Sequence, residues 1–330
     1  MQSAPSAVQI RYDSREDAMR GTGNRRIADV IRILVLLVAL SVLLYPTVSN
    51  YLYEKNSSRA VANYDEKLEG ITEQEYARML QEAREYNAAL IGNSEIYDPF
   101  SGESGEENNQ YEQILRVDDT GMMGYIRIPK IDVELPIYHG TSEPVLQVGA
   151  GHISTTSLPV GGASTHAVLT GHRGLPSKRL FTDLDQIVEG DIFYLKVLNE
   201  TLAYKVDQIL TVLPHETEAL QIAEGEDYVT LVTCTPYGVN THRLLIRGHR
   251  IPYVEAVAAV PDEIDHGLKI PFEVLVLLIA LLILVIIFII WRILAHRKSR
   301  AAGISGSGYA QGRAGQDGRR RRHRRRRSRK

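Results

Sequence analysis

Cys234 is the only cysteine in 330 residues, and it stands in Thr230-Leu-Val-Thr-Cys-Thr-Pro-Tyr-Gly-Val-Asn-Thr-His-Arg243, nine positions before an arginine. One thiol can neither close a disulfide within the chain nor build a multi-thiolate metal site. It is therefore either a small buried hydrophobe or a reactive group. A thiol with a pKa of about 8.5 is mostly protonated at neutral pH, and a nearby cation is what turns it into a nucleophile. Arg243 can be that cation. Upstream, Thr170-Gly-His-Arg-Gly174 supplies His172. A Cys–His pair can attack a peptide carbonyl, and the imidazole can then protonate the leaving amine. A fixed guanidinium can hold the substrate and help stabilise the oxyanion. On spacing alone His139, His152, His166, His242 and His249 stay open as partners. No His-x-x-x-His helix or cysteine pair marks a metal site, and no Gly-x-Ser-x-Gly elbow marks a serine nucleophile.

These groups need strands to hold them. Strand signals dominate from Gly124 onward, at Gly124–Ile128, Val133–Tyr138, His166–Thr170, Asp191–Val197, Leu202–Ile209, Tyr228–Cys234 and Arg243–Gly248. Short strands punctuated by Gly, Pro and Asn predict an all-β barrel or sandwich. Pro236, Gly238 and Asn240 are turn formers between the last two strands. If those strands pair, Cys234 and Arg243 lie side by side at one edge. Before the strands, residues 57 to 91 read as helix. Ala60, Val61, Tyr64 and Leu68 have helical spacing, and Thr72-x-x-Glu75 resembles a capping box opening a second helix. Residues 101 to 110 are polar.

The net charge of −2 hides an asymmetry. Residues 51 to 270 hold 34 acidic and 17 basic side chains, a balance of −17, while the two ends together carry 21 basic and 6 acidic, a balance of +15. Two apolar runs separate these parts. Ile33–Ser49 by itself could be a signal-peptide core, but no clean small-x-small cleavage site follows, and it reads by preference as an uncleaved signal anchor; Ile270–Trp291 is long enough to cross a bilayer. Arg15, Arg20, Arg25, Arg26 and Arg32 precede the first run, and Arg292, Arg297, Lys298 and Arg300 follow the second. The positive-inside rule then places both termini in the cytoplasm and the acidic middle outside. The expected division is a cytoplasmic segment (1–32), a signal anchor (33–52), a helical region (53–118), a β-domain (119–255), a linker (256–269), a second span (270–291) and a basic tail (292–330). The tail ends in Arg319–Lys330, with nine arginines. It reads as a topology signal that meets anionic headgroups, and no nucleic-acid partner is expected.

The stretch around Cys234, with Leu169-Thr-Gly-His-Arg-Gly174, closely resembles the sortases, cysteine transpeptidases of Gram-positive surfaces. More narrowly it is similar to class C, the pilus-assembling group. Thr-Cys-Thr-Pro-Tyr-Gly, the second apolar run and Asp98-Pro-Phe100 carry that likeness. The resemblance implies an all-β fold, an eight-stranded sortase β-barrel with N-terminal helices, flanked by two transmembrane helices. It makes Cys234 the nucleophile, His172 the acid/base and Arg243 the stabiliser of substrate and oxyanion. Asp98, Pro99 and Phe100 would form a lid, with Asp98 paired to Arg243 and Phe100 over Cys234. Thr233, Thr235 and Tyr237 are candidates for substrate contact. The implied partners are a pilin or surface protein with a C-terminal Leu-Pro-x-Thr-Gly-like sorting signal, cut between Thr and Gly, and a pilin lysine that accepts the acyl group. No cofactor and no metal are implied. A housekeeping sortase that anchors proteins to the wall, and a non-catalytic surface scaffold, are the alternatives.

Overall fold

The computed structural model describes residues 7–92, 95–101, 110–260 and ten residues between 275 and 292, with side chains of the first helix from residue 31 onward. The chain divides into a unit of residues 1–266 and a second of residues 267–330. In the second unit the ten described residues are all helical. The rest of the second apolar run, and the basic tail beyond Arg292, lie outside the described residues.

The first unit begins with α1 (Ala7–Leu68), followed by α2 (Glu73–Leu90). The apolar run Ile33–Ser49 and the helical stretch that begins the later region belong to one helix. α1 runs unbroken for 62 residues with Pro46 inside it. Across the boundary Asn50 donates to Glu54 one turn on, at 2.7 Å, and nothing between residues 50 and 57 is a helix breaker. Among the described residues α1 is the one helix long and apolar enough to cross a membrane. Thr72 caps α2 by accepting from the Glu75 N–H at 3.3 Å. The other half of the expected capping box is absent, because the Glu75 carboxylate turns to Arg78.

Eight strands close a barrel in the order β1-β2-β3-β4-β7-β8-β6-β5. They are β1 (Met122–Ile128), β2 (Val133–His139), β3 (Ala150–His152), β4 (Thr165–Thr170), β5 (Ile192–Val197), β6 (Glu200–Val212), β7 (Asp227–Thr235) and β8 (His242–Ile251). Two short helices, α3 (Glu143–Leu146) and α4 (Tyr253–Ala259), complete the unit. β3 has no counterpart among the expected strands; three residues, Ala-Gly-His, are too few to show a period. β6 is longer than expected and bulges at Asp207, whose carboxylate takes the Arg247 fork at 3.0 and 2.9 Å.

The helices are fastened to the barrel by polar anchors set in apolar contact. Tyr64 of α1 is 2% exposed; its hydroxyl donates to the Met123 carbonyl at 3.0 Å and accepts from the Leu198 N–H at 2.9 Å. Asn87 of α2 closes both hydrogen bonds of the Leu158 backbone. Val61, Leu68, Tyr76, Met79, Leu80 and Ala83 join one continuous core with the barrel. Fully burying each large apolar side chain of this set stabilises by roughly 1.5–3 kcal/mol.

Candidate active site

β7 and β8 are antiparallel neighbours, and their register pairs Cys234 with Arg243. The juxtaposition therefore follows from strand pairing, with a six-residue connection between Thr235 and His242. β4 runs parallel to β7 on its other side, in a register that ends at Thr170 opposite Val232. One step on, the Gly171 N–H donates to the Val232 carbonyl at 3.1 Å. The Thr233 hydroxyl donates to the Gly171 carbonyl at 2.7 Å. His172 comes next, its own carbonyl held by the Phe181 N–H at 3.1 Å. A side chain at Gly171 would meet the Phe181 ring at 2.8 Å, so this approach admits only glycine. Cys234, Arg243 and His172 are thus delivered to one pole of the barrel by three adjacent strand ends.

Cys234 is 7% exposed and Arg243 8%. Arg243 donates from Nε to Asp98 Oδ1 and from Nη2 to Asp98 Oδ2, both at 2.7 Å. Its Nη1 donates to the carbonyls of Asn240 and His242. Four of the five guanidinium N–H donors are engaged. Phe100 lies beside both partners of Cys234, its ring centroid 5.6 Å from that of His172 and 5.1 Å from the Arg243 guanidinium carbon. Asp98 to Ser101 make a turn, with the Ser101 N–H donating to the Asp98 carbonyl at 3.1 Å. Ile96, Tyr97 and Phe100 pack on a small cluster of Ile153, Val168, Leu220, Val232 and Leu245. The segment is seated by apolar contact as well as by its ion pair.

The closed arrangement changes the chemistry expected of the thiol. Burial pushes Cys234 above its ordinary pKa; the Arg243 guanidinium opposes this, and the Asp98 carboxylate adds to it. With Asp98 in place Cys234 is held as a thiol. The cation is beside it, but its charge is answered by Asp98.

The remaining candidates separate. Thr233 does not face the cleft: it is fully buried and its hydroxyl fastens Gly171. Thr235 accepts from Arg173 Nη1 at 3.1 Å, which ties the Cys234 strand to the His172 loop. Tyr237 is 59% exposed at the rim, beneath Arg173. Two histidines left open by spacing are locked in the body. His152 is bonded to Tyr111 and the Ser157 carbonyl, His166 to the Gln221 carbonyl and Thr230, and burial drives both down to about 4. Both His139 ring nitrogens face backbone carbonyls. His242 contacts Thr241, and His249 sits 4.0 Å from Asp207.

Two residues had no signal in the sequence. Glu143 Oε2 on α3 lies 3.3 Å from His172 Nε2. Arg173, whose side chain is 7% exposed, is paired with Asp185 and donates to the Thr182 carbonyl as well as to Thr235. Neither partner stands at a spacing that a sequence pattern would mark.

Residues 126–251 match the sortase family, described as a sortase domain. The chain is 25% identical over 218 residues to Sortase A of Staphylococcus aureus, which covers 66% of this chain and 90% of that one. Its fold is similar to sortase C1 from Streptococcus agalactiae, at 51% identity and a TM-score of 0.55, covering 59% of this chain and 98% of that one. A pilus-related sortase C of Group B Streptococcus is similar at 42% identity and a TM-score of 0.54, covering 58% of this chain and 97% of that one.

Proposed function

The chain belongs to the sortase family of cysteine transpeptidases, with class C enzymes as its structural neighbours, and from that premise we propose that it joins pilin subunits through Cys234, His172 and Arg243. Cys234 gives its thiol proton to His172, and its sulfur attacks the threonine carbonyl of a Leu-Pro-x-Thr-Gly-like sorting signal. Charge collects on the carbonyl oxygen, where Arg243 stabilises it. The Thr–Gly bond breaks as His172 gives its proton to the departing glycine amine, and a thioester remains on Cys234. A pilin lysine amine then attacks the thioester. His172 takes the amine's proton, the C–S bond breaks, and an isopeptide bond joins the two subunits while the thiol is restored.

One observation carries this reading: the register that sets Cys234 against Arg243, beside the His172 strand end. The Asp98-Pro99-Phe100 segment is the lid of that site. It engages the Arg243 fork and lays an aromatic ring between Arg243 and His172, where a substrate peptide would have to enter. Lid departure frees the guanidinium and removes the carboxylate that opposes thiolate formation. Tyr237, and Thr235 beside it, are the substrate-contact candidates that keep this role. α1 is the membrane anchor, the apolar run Ile270–Trp291 is a second span, both termini are cytoplasmic, and the barrel works outside the cell.

The test is intact mass of the full-length protein, incubated with a Leu-Pro-x-Thr-Gly peptide and a pilin bearing its acceptor lysine. Wild type should give a thioester and an isopeptide product, Asp98→Ala more of both, and Cys234→Ala neither. Equal use of a peptidoglycan amine would replace pilus assembly with wall anchoring. No adduct from wild type or Asp98→Ala would sink the transpeptidase assignment of this site.

A further inference from the structure

α1 carries metrical information about where the barrel sits. A helix rises 1.5 Å per residue, and about 20 residues are needed to cross the hydrocarbon core. The apolar run Ile33–Ser49, at 17 residues, is at the short end of what spans, so the residues just after it, Asn50 to Tyr53, fall at the headgroup level. The side chains of this run are open along the helix, with Leu34 60%, Val38 56% and Val42 69% exposed. Tyr45 and Tyr51 are exposed near its end, as aromatic residues at a bilayer interface are.

The barrel makes its first contacts with α1 at this level. The Asn50 side-chain oxygen accepts from the Arg179 N–H at 2.9 Å. The Tyr53 hydroxyl donates to the Val148 carbonyl at 3.1 Å. Lys178 lies 5.8 Å from the Tyr53 ring and donates to the Gln147 carbonyl at 2.6 Å. One turn further, Ser57 donates to the Glu134 carbonyl at 3.0 Å. Tyr64 then reaches Met123, and from Asn50 to Tyr64 the helix climbs about 21 Å.

The strand registers say which pole this is. Gly151 stands opposite Thr170, Ile137 opposite Ala150, and Thr170 opposite Val232. The starts of β2 and β3, the end of β4 and the Cys234 end of β7 therefore share one pole. Met122, Thr165 and Asp227 lie toward the other. α1 meets the barrel at the Cys234 pole and climbs away from it. Val148, 47% exposed, and the loop Pro176–Arg179 that follows His172 are the parts nearest the end of the apolar run.

We infer that the Cys234 pole rests on the bilayer surface, with the exposed tips at Val148 and Pro176–Arg179 against the lipid headgroups, so that the cleft between His172 and Cys234 opens along the membrane. The bilayer is the partner of this face. Arg179 is paired with Asp183 and Arg173 with Asp185, so the rigid helix sets the contact and anionic lipid is not required for it. A substrate anchored in the same membrane would meet the cleft at its own height. The inference rests on α1 spanning the membrane, as proposed above.

The experiment keeps the two claims apart. In full-length Cys234→Ala protein, which has no other thiol, Leu43→Cys, Val148→Cys and Glu224→Cys are labelled one at a time with a nitrobenzoxadiazole dye. Each is placed in vesicles of phosphatidylcholine with or without phosphatidylglycerol, carrying nitroxides in mid-chain or on the headgroup. The mid-chain nitroxide should quench the label at 43. The headgroup nitroxide should quench the label at 148 several-fold more than that at 224, equally in both vesicle types. Quenching at 43 with no difference between 148 and 224 would overturn the orientation alone. An unquenched label at 43 would remove the span, and the orientation with it.

Discussion

β7 and β8 carry an aspartate–arginine pair at each end, and the two pairs are built differently. At one pole Arg243 grips both oxygens of Asp98 at 2.7 Å, and Asp98 belongs to no strand of the barrel. At the other pole Asp227 is part of β7 itself. It accepts from the Tyr204 hydroxyl at 3.0 Å and the Gly162 N–H at 2.9 Å, while Arg250 stands off at 3.9 Å. A side chain at Gly161 would press on both Arg250 and Asp227 at 2.9 Å, so the local backbone is shaped around that pair. Burial pushes the Asp227 carboxyl above its ordinary range. One carboxylate is a clamp fixed into the sheet. The other is held by a single side chain and an apolar seat, and in the function proposed above it leaves. The same two residue types make a structural joint or a gate according to what the carboxylate is attached to.

The strongest way to break this comparison is to remove the two arginines. Arg243→Ala should lower the rate of isopeptide formation by about 10²–10³-fold, the usual loss for one oxyanion donor. Arg250→Ala should stay within a few-fold of wild type in the same assay of initial rates by mass. Comparable losses would mean that the poles are not functionally distinct.

Removing the two aspartates sharpens it. Asp98→Ala should raise the rate of Cys234 alkylation at pH 7 several-fold, because the carboxylate that opposes thiolate formation is gone. The sign follows from the charge: Asp98 raises the thiol pKa, so its loss moves the alkylation profile to lower pH. Asp227→Ala should leave that profile in place and instead lower unfolding stability by about 1–3 kcal/mol, because Gly162 and Tyr204 lose their acceptor. Alkylation and denaturant unfolding, measured on all three proteins, decide between these outcomes. An unchanged profile in Asp98→Ala would discard the gate.

How much of this was readable beforehand depends on sequence distance. Cys234 and Arg243 could be set side by side because one short turn joins their strands, and hairpin register is a local property. The Asp98–Arg243 contact spans 145 positions; nothing local marks it, and it entered through resemblance. Thr72 was legible as a cap because its acceptor lies three residues from the donor it serves. The continuity of α1 was not, because hydropathy divides the chain at Ser49 while helix propensity does not. β3 is too short to have a pattern. Glu143 and Arg173 meet their partners through tertiary packing alone.

Glu143 offers the smallest and most discriminating test, since it is a third carboxylate, facing the His172 imidazole at the Cys234 pole. It is part of α3, so unlike Asp98 it would stay when the proposed lid departs. Unlike Asp227 it is not enclosed: its side chain is 67% exposed. The Gln147 amide, and after it His172, hold its carboxyl below the usual range. A pair this open to water is weak, about 0.2–1 kcal/mol, and is screened by salt. Glu143→Gln keeps an acceptor near His172 and removes only the charge. The rate should therefore fall by no more than about fivefold, and high salt should bring wild type down to the variant's rate. A loss as large as that of Arg243→Ala, unaffected by salt, would mean that water does not reach the pair. The division of this pole into a removable gate and a fixed, exposed positioning charge would then be wrong.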